Sequence, residues 1–424
     1  MDKRKTLILL FAIFLLSFGV KSVSILSEST VPPGWVDTAY HTSTSLDVSE
    51  GDFDSLMHPW WHIKGNSETT DGLSVIDRNS VTFYYPPFLH VFTAGFMLFM
   101  PPGIASIISI SLIYSISVPA VYLLSRSYEL DRESSLISAG AVAGFPVLLH
   151  SQVMGFWSFA GAFIVGLISF SCYRLYRKTS DSKFVAGYIF TGVLASLTHW
   201  VFGAFIVGMP ILDRLVEEKE LDWKIPGLAL AVLLPNYVAF FATSSIGNYI
   251  TTSFDRIFPS ISPLLIVTGV LVSRGKYRAV DIFASGSLIG GGIYYLFDLP
   301  IPFGDMIQFA LPILAGFYAG SFYQKIERDK FRKIFAGIIV LLILVGLLVQ
   351  FSIGQEASRS VSESEFQQLV EMRDELPERT VAGEKGTGSW VTLASGERKI
   401  LSPYEDFNSS ELDGEKFYYL ELEK

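Results

Sequence analysis

Twelve hydrophobic runs recur along the chain, and they constrain its fold more than any other feature. They lie near residues 6–26, 83–101, 103–124, 134–150, 155–173, 184–199, 200–215, 225–243, 259–273, 279–297, 303–323 and 334–353. A helix needs about 20 apolar residues to cross the bilayer core. Only 17% of the residues are charged, whereas soluble domains carry about 25%. The sequence therefore predicts an all-α polytopic membrane protein.

Basic residues orient these runs, because Lys and Arg favour the cytoplasmic loops of membrane proteins. Six short loops hold 20 of the 32 Lys and Arg residues: Lys3–Lys5, Arg126/Arg132, Arg174/Arg177/Lys178/Lys183, Arg214/Lys219/Lys224, Arg274/Lys276/Arg278 and Lys325/Arg328/Lys330/Arg332/Lys333. If the run at 83–101 crossed the membrane, 17 of these 20 charges would face outward. The pattern therefore predicts about eleven transmembrane helices, with a cytoplasmic N-terminus and an extracytoplasmic C-terminus.

The run that does not cross is expected to form an interfacial helix over residues 83–101, bounded by Pro pairs at both ends. It closes a polar outer loop, 27–82, and a loop of about 55 residues is uncommon unless it is functional or disordered. The first run lacks a small-x-small cleavage site after it, which favours a retained signal-anchor. The predicted domains are a transmembrane domain, 1–353, which includes the outer loop and the interfacial helix, and a small α/β extracytoplasmic domain, 354–424.

Two short segments frame the outer loop. The first, Asp37–His41, reads Asp-Thr-Ala-Tyr-His, and the second, Tyr85–His90, reads Tyr-Pro-Pro-Phe-Leu-His. A signal-anchor, an acidic residue soon after it and an aromatic Pro-Pro helix resemble, in this order, the GT-C superfamily of integral-membrane glycosyltransferases. The likeness covers roughly the first 180 residues in detail and the later ones in topology only. It is similar to bacterial or archaeal members, and the tail lacks the Trp-Trp-Asp-type motif of peptide-asparagine transfer.

The resemblance implies an inverting transfer of a hexosyl or pentosyl group from a polyprenyl-phosphate-linked sugar. The acceptor would be a glycan, a lipid or a protein at the outer face. Asp37 is the expected catalytic base, because partial burial at the membrane boundary raises the pKa of a carboxylate towards the working range. The competing interpretation makes Asp37 a helix cap or a solvated carboxylate.

Further polar residues are candidates for binding the substrate. Arg256 is the first choice for holding the lipid phosphate, because a planar guanidinium suits phosphate; the alternative is an ion pair with Asp255. Ionisable groups at the membrane boundary merit a functional hypothesis, although each histidine is also explained as a satisfied helix-end residue. The full candidate set is His41, Tyr85, His90, Arg256, His150 and His199.

A divalent metal, Mg²⁺ or Mn²⁺, is a weaker expectation, and no cofactor is certain. The candidate ligands are Asp52, Asp54, His58 and His62, whose carboxylates and imidazoles also suit Zn²⁺. The loop is rich in acids, so a chance Asp-x-Asp triplet is the competing explanation. Many relatives of this architecture need no metal, since the leaving group is a single phosphate.

Two other classes of function remain open from the sequence. A transporter or flippase of lipid-linked glycans would show paired half-repeats with broken helices, and no internal repeat is visible. The second of these hypotheses is a non-catalytic membrane protein of the same architecture. Binding of nucleic acid is not expected, because the basic residues are dispersed over short loops rather than gathered in one patch. Membrane lipids and the lipid-linked sugar are therefore the expected partners.

Overall fold

A computed structural model describes residues 1–34, 36–53, 73–75, 87–153, 155, 157–199, 201–218, 224–243, 278–283, 285, 304–359, 361–372, 380–383, 400–403 and 417–420. The helices are α1 (Lys3–Leu26), α2 (Val36–Ser49), α3 (Phe88–Met97), α4 (Pro102–Ser115), α5 (Ser117–Ser127), α6 (Arg132–Ala143), α7 (Pro146–Val153), α8 (Trp157–Thr179), α9 (Ser182–Ser196), α10 (Val201–Glu217), α11 (Lys224–Thr243), α12 (Gly304–Lys325), α13 (Asp329–Gln355) and α14 (Glu363–Glu371). Four short strands complete the described structure: β1 (Leu73–Val75), β2 (Thr380–Gly383), β3 (Ile400–Pro403) and β4 (Phe417–Leu420).

Apolar helices make this an integral membrane protein. Among the described residues, four helical stretches are long and apolar enough to cross a membrane, namely α1, α4 with α5, α8 and α13. The stretch made by α6 and α7 becomes a fifth if the two helices, bent by 43°, form one broken span. Other predicted spans are shorter here or lie partly outside the described residues, so the number eleven stays a prediction.

Contacts between loops define two ends of the bundle. At the first, which we call the basic end, the Arg132 guanidinium donates to the Met1 carbonyl over 3.2 Å. There too Lys178 pairs with Glu129 at 3.2 Å, and the Asp131 amide donates to Gln324. The described basic loops thus lie at one end of the bundle, as the sequence predicts if the run at 83–101 does not cross the membrane. The opposite end, which we call the site end, holds α2 and α3.

The outer segment between α1 and α4 begins and returns at the site end. Gly103, at the start of α4, lies so close to the Thr30 carbonyl that a side chain there would overlap it. Helix α3 has ten residues, about 15 Å of length at 1.5 Å per residue, which is half of the hydrocarbon core. Among the described residues between α1 and α4, no helix is therefore long enough to cross the membrane, and the interfacial position of 83–101 stays a prediction.

The stretch at 184–215, where the sequence left one or two crossings open, forms two helices. Helix α9 ends at Ser196 and α10 begins at Val201. The turn between them lies at the site end, where the Leu197 carbonyl accepts from the Phe88 amide over 2.8 Å. Helix α10 then returns to the basic end, where the buried carboxylate of Asp213 pairs with Arg174 and Arg177 of α8.

Small residues let α13 pack closely on the rest of the bundle. A Cβ at Gly346 would overlap the Gly144 carbonyl, and one at Gly354 would overlap Ser24 of α1. Gln350, midway between these glycines, donates from its side chain to the Ala143 carbonyl over 2.8 Å. Most of the remaining α13 surface is exposed and apolar, as expected of a helix that faces lipid. Helix α13 is therefore held in the bundle by one narrow face, which carries Gly346, Gln350 and Gly354.

The tail and the outer loop meet in one sheet, in the order β1-β3-β2-β4. Strand β1 of the outer loop pairs antiparallel with β3, with Leu73 opposite Pro403. Strand β2 lies parallel to both β3 and β4. The outer loop thus contributes a strand to the structure of the tail. Whether residues 354–424 form a domain of their own stays a prediction.

Candidate active site

The candidate site is built on α2, a helix that is polar on all sides and yet buried. Its sequence, Val-Asp-Thr-Ala-Tyr-His-Thr-Ser-Thr-Ser-Leu-Asp-Val-Ser, contains few apolar residues. From Thr38 to Val48 every side chain except that of Tyr40 is buried. Two hydroxyls are satisfied inside the helix, since Ser45 donates to the His41 carbonyl and Ser49 to the Leu46 carbonyl. Buried polar groups of this kind need hydrogen-bond partners, and a polar ligand can supply them.

A pair of imidazoles joins α2 to α3. His41 Nδ1 and His90 Nε2 lie 2.9 Å apart, so one ring nitrogen donates a hydrogen bond and the other accepts it. The Tyr40 ring meets the His90 ring edge to face, with centroids 5.6 Å apart. Both imidazoles are almost wholly inaccessible to solvent. The pair therefore sets the distance and the rotation between the two outer helices.

The first residue of α8, Trp157, packs against this pair. The Trp157 indole stacks on the His41 ring with centroids 5.8 Å apart and an interplanar angle of 20°. Its Nε1 donates to the Gln152 carbonyl over 2.8 Å, and the Gln152 amide donates to Ser111 over 2.8 Å. A continuous set of packed polar groups thus runs from α2 through α8 and α7 to α4. It holds the His41 ring on the side that faces Trp157.

A third histidine lies in the same neighbourhood, at the turn after α9. His199 packs edge to face on Phe159, with centroids 5.1 Å apart. Burial lowers the pKa of His41 well below its usual range, and nearby His90 and His199 lower it further. Burial also lowers the pKa of His90 to about 3 and that of His199 to about 4. All three imidazoles are therefore neutral at neutral pH, and each holds a donor and an acceptor.

Two threonine hydroxyls of α2 have no hydrogen-bond partner among the described residues. They belong to Thr42 and Thr44, and both are fully buried. Leaving a buried hydroxyl unpaired costs about 1–3 kcal/mol, so a polar ligand or water at these atoms would be stabilising. Positions 37, 41 and 44 follow the i, i+4, i+7 spacing of one helix face. Thr44 therefore shares a face of α2 with Asp37 and His41.

The backbone at Gly34, just before α2, is closely packed and has an unusual conformation. Gly34 has φ of +114°, a conformation that residues with a side chain rarely adopt. A Cβ on Gly34 would also overlap the Thr38 hydroxyl and come within 2.8 Å of the Val153 carbonyl. Thr38 in turn donates to the Pro33 carbonyl over 3.1 Å. These contacts fix the direction in which the chain enters the first turn of α2.

The structure brings some of the sequence-predicted residues together and leaves others apart. Asp37 lies in the first turn of α2, although its side chain is outside the described set. His41, His90 and His199 cluster as described above. His150 lies on α7 with an exposed side chain, and Asp52 lies beyond the end of α2. The remaining candidates lie outside the described residues: Tyr85, Arg256, Asp54, His58 and His62.

Sequence reasoning missed the residues that support the site. Trp157 lies in the hydrophobic run 155–173 and Gln152 between two runs, so neither was a candidate residue, yet together they hold His41 in place. A weak signal was present, because Gln152 is a polar residue that interrupts an apolar stretch directly before an aromatic segment. Within the described residues, no group of three His, Cys, Asp or Glu side chains is placed to hold a metal ion.

Comparison with solved structures identifies the fold. The chain superposes on ArnT from Cupriavidus metallidurans bound to undecaprenyl phosphate with a TM-score of 0.57 and 12% identity, over 94% of this chain and 86% of ArnT. For ArnT in the apo state the TM-score is 0.52 and the identity 13%, over 93% and 85% of the two chains. For the arabinofuranosyltransferase AftD from Mycobacteria the TM-score is 0.45 and the identity 14%, over 91% of this chain and 30% of AftD.

No protein-family model matches the sequence, and no curated protein matches it. The similarity to ArnT nevertheless extends over nearly the whole of both chains. The chain therefore has the fold of the GT-C membrane glycosyltransferases, and the resemblance expected from its sequence is confirmed at the level of the fold.

Proposed function

We propose that this protein is a glycosyltransferase that moves a sugar from a polyprenyl-phosphate carrier to an acceptor at the outer membrane face. The observation that carries the proposal is α2, a buried polar helix with Asp37 in its first turn, at one end of a bundle with the ArnT fold. ArnT is solved with undecaprenyl phosphate bound, which supports a polyprenyl-linked donor here. The acceptor is a glycan, a lipid or a protein.

In the proposed reaction, Asp37 acts as the general base. The acceptor oxygen forms a bond to the anomeric carbon of the sugar while Asp37 takes the acceptor's proton. The bond between that carbon and the phosphate oxygen breaks, and the electron pair leaves with the polyprenyl phosphate, so the configuration is inverted. A positioned base of this kind contributes about 10²–10⁴-fold to the rate. We assign the buried hydroxyl of Thr44, on the same helix face, to binding a hydroxyl of a substrate.

The other candidate residues take supporting roles in this proposal. His41 and His90 use one nitrogen each on one another, and we assign this pair to holding α2 on α3. Arg256 is proposed to hold the lipid phosphate through its guanidinium. Tyr85, His150 and His199 remain candidates for contact with the substrate. This assignment places the outer loop, the C-terminus and the site outside the cell membrane and the N-terminus in the cytoplasm.

A divalent metal stays a separate proposal. Of its candidate ligands only Asp52 belongs to the described residues, and no three-residue ligand group is found among them. We therefore derive no catalytic step through a metal. Treatment with EDTA followed by addition of Mg²⁺ or Mn²⁺ tests the proposal directly, because a metal-dependent enzyme loses its transfer activity and regains it with the ion.

The decisive experiment is sugar transfer by the purified protein in liposomes that contain polyprenyl-phosphate-linked sugars and candidate acceptors. We expect wild-type protein to transfer and Asp37→Asn to lose about 10²-fold or more of kcat, because an amide takes up no proton. Glu50→Gln is the matched control, since Glu50 lies just beyond α2 with an exposed side chain, and it should retain activity.

Three outcomes would overturn parts of the proposal. Full activity of Asp37→Asn would remove Asp37 from the role of base. Movement of the lipid-linked sugar across the bilayer without transfer would favour a flippase. Absence of both activities across the donor panel would favour a non-catalytic protein of the same fold.

A further inference from the structure

The first residues of the tail clamp the linker that leads from α1 to α2. Arg359 donates from Nε to the Val31 carbonyl over 3.1 Å and from Nη2 to the Ile25 carbonyl over 3.0 Å. Its Nη1 donates to the Ala357 carbonyl over 3.0 Å. One planar guanidinium of the tail therefore binds both the end of α1 and the linker that follows it, more than 300 positions earlier in the sequence.

The backbone and nearby side chains add to this clamp. The Gly34 amide donates to the Ser358 carbonyl over 3.4 Å, and Gly34 forms a parallel β-bridge with Arg359. Thr30 donates to the Glu363 carboxylate at the start of α14. Three residues of the described linker, Thr30, Val31 and Gly34, are thus bound to residues of the tail.

Helix α14 anchors the tail on the same side. A capping box of Ser362 and Glu365 begins the helix, and this motif satisfies two backbone amides that would otherwise lack acceptors. Phe366 and Leu369 are buried. A side chain at Gly103 of α4 would meet both the Thr30 carbonyl and the Phe366 ring. The tail, the linker and α4 are therefore packed together at one point.

The clamp is continuous with the first turn of α2. Arg359 holds Val31, the Ser358 carbonyl holds Gly34, and the Pro33 carbonyl between them accepts from Thr38 inside α2. Asp37 precedes Thr38 by one residue. The clamp therefore binds the chain three to six residues before Asp37, at Gly34 and Val31, close to the backbone that carries Asp37.

We infer that Arg359 is a positioning residue for the active-site helix, so that the tail holds the helix that carries Asp37. The role of Asp37 in this inference rests on the proposed function, whereas the clamp on α2 does not. Arg359 acts through the linker and not on the substrate. A guanidinium is suited to this task, because its five donors lie in one fixed plane and it stays charged at all physiological pH values.

The test compares Arg359→Gln and Arg359→Lys with a matched control in the purified full-length protein. The control is Gln355→Ala, which removes the 3.2 Å hydrogen bond from the tail to Glu28 at an exposed position. Hydrogen exchange of the α2 amides reports the clamp without any need for activity, and exchange of α8 reports the rest of the bundle. The values of kcat and KM for the polyprenyl-phosphate sugar report catalysis.

For Arg359→Gln we expect exchange in the first turns of α2 to rise about tenfold while α8 keeps its protection. We expect kcat to fall about tenfold or more with KM within about twofold, because misplacing a catalytic group slows the chemical step. Arg359→Lys should be intermediate, since an ammonium lacks the planar fork. Gln355→Ala should match the wild type in all readouts. If the Gln variant fails to fold, the Lys variant carries the same test.

Two results would overturn the inference: unchanged exchange of α2 in the Arg359 variants, or an equal rise in α2 and α8, which would mark a general stabilising contact. A wild type without any transfer activity would refute the proposed function alone. The exchange data would still decide whether the clamp holds α2.

Discussion

At the scale of single residues, the paired imidazoles of His41 and His90 are the most constrained groups in the candidate site. Each ring is buried, and their facing nitrogens lie 2.9 Å apart. Removing one ring leaves a buried polar atom of the other without its partner, which costs about 1–3 kcal/mol. We therefore expect His90→Ala to lower the thermal midpoint of the detergent-purified protein, while His150→Ala, at an exposed site, leaves it unchanged.

A double-mutant cycle isolates the pair. If His41 and His90 bind one another, His41→Ala and His90→Ala together cost less than the sum of the single changes, with a coupling free energy of about 0.5–3 kcal/mol. Strictly additive effects in the cycle would show that each histidine acts alone.

The buried histidines also predict how stability depends on pH. In the folded protein the pKa is about 3 for His90 and about 4 for His199, below the ordinary 6.5. The unfolded chain therefore takes up protons first as the pH falls. Stability is complete above about pH 6.5 and is lost progressively towards pH 4, by about 1.4 kcal/mol per pH unit for each histidine. Thermal unfolding at about pH 7.5, 6 and 5 checks this prediction.

His199→Gln is the matched variant for the pH series, because the amide is neutral at every pH. Its thermal midpoint should fall less steeply with acid than that of the wild type. A wild-type midpoint that stays constant between about pH 7 and 5 would contradict the assignment of these histidines as neutral and buried.

At the scale of elements, the α13 seam offers a test of close packing. A Cβ at Gly346 would overlap the Gly144 carbonyl, whereas no atom of the described residues lies within 4 Å of the Cβ position of Gly337 on the same helix. Gly346→Ala should destabilise the protein by about 1–3 kcal/mol, because the backbone at Gly144 has to move. Gly337→Ala should be neutral or stabilising by up to about 1 kcal/mol, through helix propensity alone. Thermal unfolding of the two variants in detergent gives the comparison.

Helices that extend along one apolar run are the elements that the sequence predicts well. Helices α1, α8 and α13 follow from long apolar runs with basic flanks, because burial in lipid depends on composition more than on partners. The bend of 43° between α6 and α7 was missed, since the break at Gly144–Pro146 lies inside a run that looks continuous. Helix α2 is not among the predicted helices, because its polar sequence lacks an amphipathic pattern.

Only the residues of the candidate site that belong to local sequence motifs could be predicted. Asp37, His41 and His90 were identifiable from two segments that frame the outer loop. Trp157 and Arg359 were not, because their roles arise from contacts with residues more than 100 positions away, such as Trp157 with His41 and Arg359 with Val31. Such contacts depend on the packing of the whole bundle, which periodicity in one segment does not encode.

At the scale of the whole molecule, the two ends of the bundle differ in chemistry. Arg174 and Arg177 of α8 meet Asp213 and Glu217 of α10 in an ion-pair network at the basic end. The Arg174 guanidinium also lies 3.7 Å from the centre of the Tyr128 ring. The site end instead carries the three neutral imidazoles and the buried hydroxyls of α2, beside the charged Arg359 and Glu363 of the clamp. This asymmetry is what the positive-inside rule expects of one fixed orientation in the membrane.

Labelling of single cysteines tests that orientation directly. The chain has one cysteine, Cys172, so a Cys172→Ser background is free of other thiols. In it, Glu50→Cys places a thiol at the exposed site end and Ser180→Cys at the exposed basic end. A membrane-impermeant maleimide applied to intact cells should label Glu50→Cys and reach Ser180→Cys only after permeabilisation. The reverse pattern would place the site in the cytoplasm, and then the carrier would have to present its sugar on the inner leaflet.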